Sequence, residues 1–272
     1  MTTLEAYAKI NLTLEVYGKR ADGFHELRSR VQPIALADTL TVEPTEDGVI
    51  ASDTGYGEDD LIVKAARALR ASCAPSRPSL GARIRVVKRI PVGGGLGGGS
   101  ADAAATLRAL NECWRLGKSP EELAALGATV GSDVPALVLA QHFRAPVWME
   151  GRGERVSVAA PTCDAARPLV LVHPGVSSAT AEVYARCEPR TTPPTGPVND
   201  LQAAACALHP EIALALAALV AAGAADVMMS GSGSVVYGFA ADGPSAQALA
   251  ARLRALGCTT WVTAVRQPQI LV

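Results

Sequence analysis

Three groups of residues in this 272-residue chain have types and spacings that could do chemistry. The first is the run Pro91-Val92-Gly93-Gly94-Gly95-Leu96-Gly97-Gly98-Gly99-Ser100-Ala101, with six glycines in the seven positions 93–99. Each glycine costs roughly 0.5–1 kcal/mol of extra backbone entropy on ordering. A plain turn needs one or two, so six argue that main chain must approach something closely or present a row of N–H groups. The run leads directly into a helical pattern, where unpaired N–H groups and the positive end of the helix dipole meet. Strand, glycine loop and helix N-terminus together make an anion cradle suited to phosphates. The second group is Lys9 and Asn11, two residues apart on a strand and so about 7 Å apart on the same side. They read either as a cation and an amide on one wall or as an ordinary solvated sheet face. The third is Asp133 in Gly131-Ser132-Asp133-Val134-Pro135, just before a short apolar helix. It could cap that helix, or it could be the general base for an attacking hydroxyl.

Weaker candidates surround these. His25 follows the turn Asp22-Gly23-Phe24, and a lone histidine is more often structural or exposed. Ser230-Gly231-Ser232-Gly233-Ser234 is a second small-residue loop, either a hairpin turn or backbone close to a ligand shared with the first loop. Other phosphate-binding patterns fit poorly. Gly117-Lys118-Ser119 has Glu112 where a Walker A loop needs glycine, and it follows a helix. Gly93, Gly95 and Gly98 satisfy GxGxxG, yet Glu121 and Glu122 lie in a second helix rather than at the end of a strand. The protein-kinase signatures are missing. Phosphoryl transfer needs a held nucleotide, a held hydroxyl, a counter-charge and a proton acceptor. The three groups could supply that set, beside their plain readings as a sheet face and a helix cap, which makes phosphoryl transfer to a hydroxyl a candidate chemistry.

The elements that must position these residues can be read from periodicity. Residues 4–17 alternate, with Ile10, Leu12, Leu14 and Val16 on one face and Lys9, Asn11, Thr13, Glu15 and Tyr17 on the other. Further strands are expected near 27–35, 38–43 and 48–52, then a helix to about Ala71 capped by Asp59 or Asp60. Residues 82–90 read as a strand that Pro91 ends. A helix is expected from about Ala101 to Leu116, and a second with Ser119 as cap, Pro120 in the first turn and Glu122 closing a capping box. Residues 147–158 read as a hairpin. After about residue 160 the pattern restarts as strand (168–173), helices (179–187, 200–208, 210–222), strands (226–229 and 235–240), helix (244–256) and strand (259–265). Without the extra helices this is β-α-β-β-α-β, a ferredoxin-like unit. The Pro/Thr/Ala-rich stretch 159–168 marks the expected boundary, giving domains 1–160 and 161–272.

Composition narrows the classes. Hydrophobic residues make up 49% and charged residues 19%, as in folded globular chains. A formal net charge of −1 gives no reason to expect nucleic acid or membrane as a partner. The six cysteines have no CxxC spacing and read as free thiols, and the four histidines make no metal site. The N-terminus lacks a basic region followed by an apolar run, and the longest apolar stretch, residues 212–225, is too short to span a bilayer. A cytoplasmic protein is expected; its oligomeric state is not readable.

Together these segments resemble the GHMP superfamily of small-molecule kinases. Its three motifs would be Ala8-Lys9-Ile10-Asn11-Leu12, Pro91 through Ala101 and Met229 through Ser234. AKINLTLEVYGKRADGFHEL, KRIPVGGGLGGGSADAA, LGATVGSDVP, HPGVSSAT and MSGSGSVVYGF narrow the resemblance to the branch that phosphorylates a cytidine-diphosphate-linked methylerythritol in the non-mevalonate isoprenoid route. The resemblance implies a two-domain α/β (α+β) fold, with an N-terminal mixed sheet and a C-terminal ferredoxin-like domain enclosing the site in a cleft. It implies ATP as donor, Mg²⁺ with it, and the 2-phosphate and ADP as products. The alternative is another GHMP kinase, for homoserine, mevalonate or galactose. Lys9 and Asp133 would be the catalytic pair. Residues 91–101 would wrap the ATP phosphates, with Lys88, Asp60 and Leu61 near the adenine. Asn11, Phe24, His25 and Tyr184 would meet the substrate's cytidine. Four positions depart from the pattern: Phe24 stands for a usual Tyr, Ala101 for a second Ser, Val31 for an aromatic residue and Asp60 for an Asn. Ala101 leaves Ser100 as the only hydroxyl there and puts the Mg²⁺ ligands in question.

Overall fold

A computed structural model describes residues 1–73, 77–160 and 167–266. The expected domain boundary at 160/161 abuts residues 161–166, and Cys163 lies among them; both fall outside the described residues. The other five cysteines are buried or partly so, and Cys113, Cys187, Cys206 and Cys258 are free thiols.

The first sheet is organised by two long strands. β1 (Thr2–Lys19) pairs antiparallel with β2 (His25–Thr45) along almost its whole length. The segments 27–35 and 38–43, expected as separate strands, form one continuous β2. Its far edge is shared by two partners. β4 (Gly81–Val87) takes residues 39–45 and β5 (Val147–Gly151) takes residues 27–31. β3 (Ile50–Ser52) and β6 (Arg155–Val158) complete a six-stranded mixed sheet. Helices α1 (Leu61–Ala71), α2 (Gly98–Cys113), α3 (Pro120–Gly127) and α4 (Val134–Phe143) complete this half, and α2 packs directly on β1 and β2. The first core gathers Ile10, Ile34, Leu40, Leu107, Leu110 and Leu137, each 2% exposed or less.

Local signals explain most boundaries. Asp60 caps α1 by accepting from Ile62 N at 2.9 Å. Ser119 and Glu122 form the expected capping box at α3. Two boundaries that differ from expectation bear on the site. β4 stops at Val87, before Pro91, because Arg89 N and Ile90 N donate to the Asp38 carboxylate at 2.5 and 2.8 Å and so leave the ladder. α2 starts at Gly98 rather than Ala101, so the last glycines of the loop are its first turn.

The second half is a four-stranded antiparallel sheet in the order β10-β7-β9-β8. Its members are β7 (Pro168–His173), β8 (Ala225–Met229), β9 (Val236–Phe239) and β10 (Thr259–Ala264). That order, with helices α5 (Thr180–Arg186), α6 (Leu201–Leu208), α7 (Pro210–Ala221) and α8 (Gly243–Ala255), is the ferredoxin-like pattern read from the sequence. None of these helices is by itself long and apolar enough to cross a membrane; α6 and α7 are bent by 116° at their junction.

The halves share β1. Ile10 belongs to the first core, while Leu14 and Val16, a few residues on, belong to the second with Val170, Leu201 and Leu219. Register shifts after Tyr7, Asn11 and Val16 break the simple alternation and let the strand change allegiance. The polar face of β1 is therefore not a solvated sheet face: Lys9, Asn11 and Glu15 are 3%, 1% and 4% exposed.

Candidate active site

A single ammonium marks the centre of the site. Lys9 Nζ donates to Asn11 Oδ1 at 2.7 Å and to Gly95 O at 2.8 Å, and it lies 3.5 Å from Asp133 Oδ2. Burying a cation is costly unless it is paired and hydrogen-bonded, and Lys9 is both. Asn11 is held in turn, its Nδ2 donating to Ser29 Oγ at 2.7 Å and its carbonyl accepting from Tyr237 OH at 2.9 Å. Ser29 Oγ donates on to Thr13 O at 2.6 Å. Asp133 occupies the first boundary position of α4, yet its side chain makes no capping hydrogen bond. Its backbone is already helical, φ −85° and ψ −13°, so the carboxylate does not reach back to the first-turn amides. It stays 34% exposed, facing the cavity. The capping reading of Asp133 thus loses to a carboxylate held beside a buried ammonium.

The glycine loop does two jobs. Gly93, Gly95 and Gly97 have φ of +72°, +73° and +70°, a left-handed backbone that other residues rarely adopt. A Cβ at Gly95 would lie 2.1 Å from Ser230 O, and one at Gly94 would lie 2.6 Å from Val235 Cγ2. These two glycines therefore admit the second small-residue loop rather than a ligand. Ser230 Oγ donates to Gly95 O at 3.0 Å and Val235 N donates to Gly94 O at 3.1 Å, so the two loops are stapled together. The remaining glycines open onto the cavity at the N-terminus of α2. A Cβ at Gly97 would meet the Lys9 stem at 3.2 Å, and one at Gly231 would come within 3.1 Å of Lys9 Nζ. The ammonium sits where both loops meet.

The cavity in front holds about 960 Å³ and is lined by Lys9, Asn11, Phe24, His25, Asp60, Leu61, Lys88, residues 91–100, Asp133 and Tyr184. Every expected site residue is thus brought to one cavity except Ala101. Ala101 is fully buried, because its place on α2 turns it into the core. Two of the others are already engaged. The Asp60 carboxylate caps α1 and accepts from Thr54 Oγ1 at 2.5 Å. Lys88 Nζ sits between Asp38 Oδ2 at 2.5 Å and Asp102 Oδ2 at 2.7 Å. Burial pushes the Asp102 carboxyl up to about 7 against the pull of Lys88. Burial lowers the Lys88 ammonium, and the two carboxylates more than reverse it, for a net rise. The His25 and Tyr184 rings lie 5.3 Å apart, tilted by 32°, and burial raises the Tyr184 phenol.

Several positioning residues escaped the sequence reading. Asn199 Nδ2 donates to Met229 O and Gly231 O, each at 2.8 Å, and holds the second loop from behind. Its Pro-Val-Asn-Asp-Leu setting reads only as a helix start. Asp38, Ser29 and Tyr237 sit in strands whose pattern carries no sign of chemistry. Asp102 was visible, one residue past the loop, and its pairing with Lys88 was not.

An anion cradle, an ammonium and a carboxylate converging on one cavity can hold a phosphorylated donor and take a proton from an attacking hydroxyl. Comparison with known proteins gives the family. Residues 60–141 match the GHMP kinases N terminal domain and residues 196–257 the GHMP kinases C terminal domain. A 4-diphosphocytidyl-2-C-methyl-D-erythritol kinase of Moorella thermoacetica is 39% identical over 96% of this chain and 98% of its own. One of Aromatoleum aromaticum is 41% identical over 90% and 87%. A crystal structure of 4-(cytidine 5'-diphospho)-2C-methyl-D-erythritol kinase superposes with a TM-score of 0.83 at 34% identity, covering 98% of this chain and all of that one. Methanococcus jannaschii mevalonate kinase, at 13% identity and a TM-score of 0.70 over 98% of each chain, shares the fold alone. The chain belongs to the 4-diphosphocytidyl-2-C-methyl-D-erythritol kinases, a family of GHMP kinases.

Proposed function

We propose that this protein transfers the terminal phosphoryl group of ATP to a hydroxyl of 4-diphosphocytidyl-2-C-methyl-D-erythritol, giving the 2-phosphate and ADP for isoprenoid precursor synthesis. The observation that carries the proposal is the Lys9 ammonium, 3.5 Å from Asp133 at the junction of both glycine loops. Asp133 accepts or orients the proton of the attacking hydroxyl. Lys9, itself 3% exposed, neutralises charge as the phosphoryl group passes. The amides at the N-terminus of α2 hold the donor's phosphates. Asp60 and Leu61 would face the adenine; Lys88, expected with them, has its ammonium 2.7 Å from Asp102 at the phosphate cradle. Asn11 closes the wall beside Lys9, and Phe24, His25 and Tyr184 receive the cytosine, the rings by stacking.

Mg²⁺ fits the donor set in a limited way. Among the described residues no three His, Cys, Asp or Glu side chains converge as a cage. Mg²⁺ is ordinarily held by substrate phosphates, waters and one or two protein oxygens. Ser100 Oγ and the Asp102 carboxylate line the cavity beside the phosphate cradle and would be those oxygens. The metal would offset phosphate charge during transfer.

The test is ADP formation by the purified protein with the cytidyl substrate, set beside homoserine, mevalonate and galactose. Fastest turnover is expected with the cytidyl compound. Faster phosphorylation of any other acceptor overturns the assignment.

A further inference from the structure

The charges lining the cavity are internally paired at one end and uncompensated at the other. Lys9 faces Asp133, Lys88 sits between Asp38 and Asp102, and Asp59 pairs with Lys64 at 3.1 Å. At the opposite end, the turn between β1 and β2 and the turn between β5 and β6 are tied together by ion pairs. Arg20 bridges Glu26 at 2.7 Å and Glu154 at 3.6 Å, and Arg155 reaches Glu26 at 2.7 Å. Arg152, on the same turn, takes no part. Among the described residues it forms no ion pair, although it lines the cavity, as does Lys19, which also has none. The Arg152 guanidinium instead lies 5.2 Å from the centre of the Phe24 ring.

The backbone keeps Arg152 in place. Gly151 and Gly153 have φ of +76° and +116°, and a Cβ at Gly153 would lie 2.3 Å from Ser132 O. The turn therefore packs against the residue preceding Asp133. Arg152 N donates to Glu154 Oε2 at 2.6 Å, which closes the turn. The side chain is thus carried between Phe24 and the loop that presents Asp133.

A guanidinium stacked at a cavity, with its forked donors unpaired among the described residues, matches phosphate oxygens in shape and charge. The donor's phosphates have the amides of the glycine loop, on the other side of Lys9. We infer that Arg152 is a specificity-determining residue that grips the diphosphate of the acceptor, with Lys19 adding attraction from the rim. This rests on the acceptor named above. It also explains how such a site favours a nucleoside diphosphate over an acceptor carrying only a carboxylate or no charge.

Two measurements separate this inference from the reading it rests on. In the first, cytidine, CMP and CDP are titrated calorimetrically into the full chain without ATP. The unaltered protein is expected to bind CDP more tightly than CMP or cytidine. Arg152→Gln should weaken CDP by about tenfold, the size of a charge-assisted contact, with cytidine unchanged. Arg152→Lys should keep part of the preference. In the second, steady-state kinetics with the cytidyl substrate should show an acceptor KM raised about tenfold in Arg152→Gln, with the KM for ATP within twofold. An unchanged CDP-to-CMP ratio overturns the inference. Equal weakening of cytidine and CDP also overturns it, by making Arg152 only a prop for Phe24. Failure of the unaltered protein to turn over the cytidyl substrate overturns the acceptor reading, while the CDP titration still decides the role of Arg152.

Discussion

At the scale of single residues, the site depends on setting one buried ammonium beside one carboxylate that faces the cavity. Lys9 and Asp133 were both candidates, each beside an ordinary reading: a solvated strand face for the one and a helix cap for the other. Their meeting was not visible, since 124 positions of chain separate them. Asp133→Asn should lower kcat by about 100-fold or more, the usual size of general-base loss, while nucleotide binding stays nearly constant. Near-normal turnover in that variant would reduce Asp133 to a helix-end residue. Asp102 offers a second test. Its carboxyl is pushed up to about 7, so the folded state holds a proton there that the unfolded chain releases near 4. The proton favours folding below about pH 4, and this contribution is lost as pH rises through about 7. Asp102→Asn should therefore show a smaller fall in urea-unfolding stability between pH 5 and pH 8 than the unaltered chain. An equal fall in both would place the titration elsewhere.

At the scale of elements, the two small-residue loops behave as one unit. The first was legible as a phosphate cradle; the second, alone, looked like a hairpin turn. What joins them is steric. Gly94 and Gly95 have no room for a Cβ because residues 230–235 press against them. Gly95→Ala must push Ser230 away or distort a left-handed backbone, so it should lower Tm by several degrees and weaken ATP binding together, read by calorimetry and nucleotide titration. An alanine variant with both quantities unchanged would separate the loops. The capping box at α3 was fully written in the sequence, since Ser119 and Glu122 act within one turn. Ser119→Ala should cost about 1 kcal/mol of stability in denaturant titration without touching kinetics. β4 shows the opposite case: its end is set by the Asp38 carboxylate, a partner 51 and 52 residues from the amides it binds, which no local pattern announces.

At the scale of the whole molecule, β1 couples the two halves. Leu14 is a member of the first sheet by hydrogen bonding and of the second core by packing, and it bridges to Asn199. Leu14→Ala should cost about 2–5 kcal/mol, as buried leucine truncations do, and should lower a single unfolding transition of both halves. Two well-separated transitions in that variant would mean that the halves fold independently and that a division near residue 160 is also an energetic one. The sequence by itself determined the element order, the ferredoxin-like second half, the phosphate cradle and the candidate pair, because helix periodicity, caps and glycine runs are local physics. Tertiary packing alone buries the polar face of β1, turns Ala101 inward, gives Lys88 to Asp38 and Asp102, and leaves Arg152 at the cavity without an ion pair among the described residues. Those outcomes depend on which distant atoms fill the space and carry the charge beside each residue, which no short window of sequence contains.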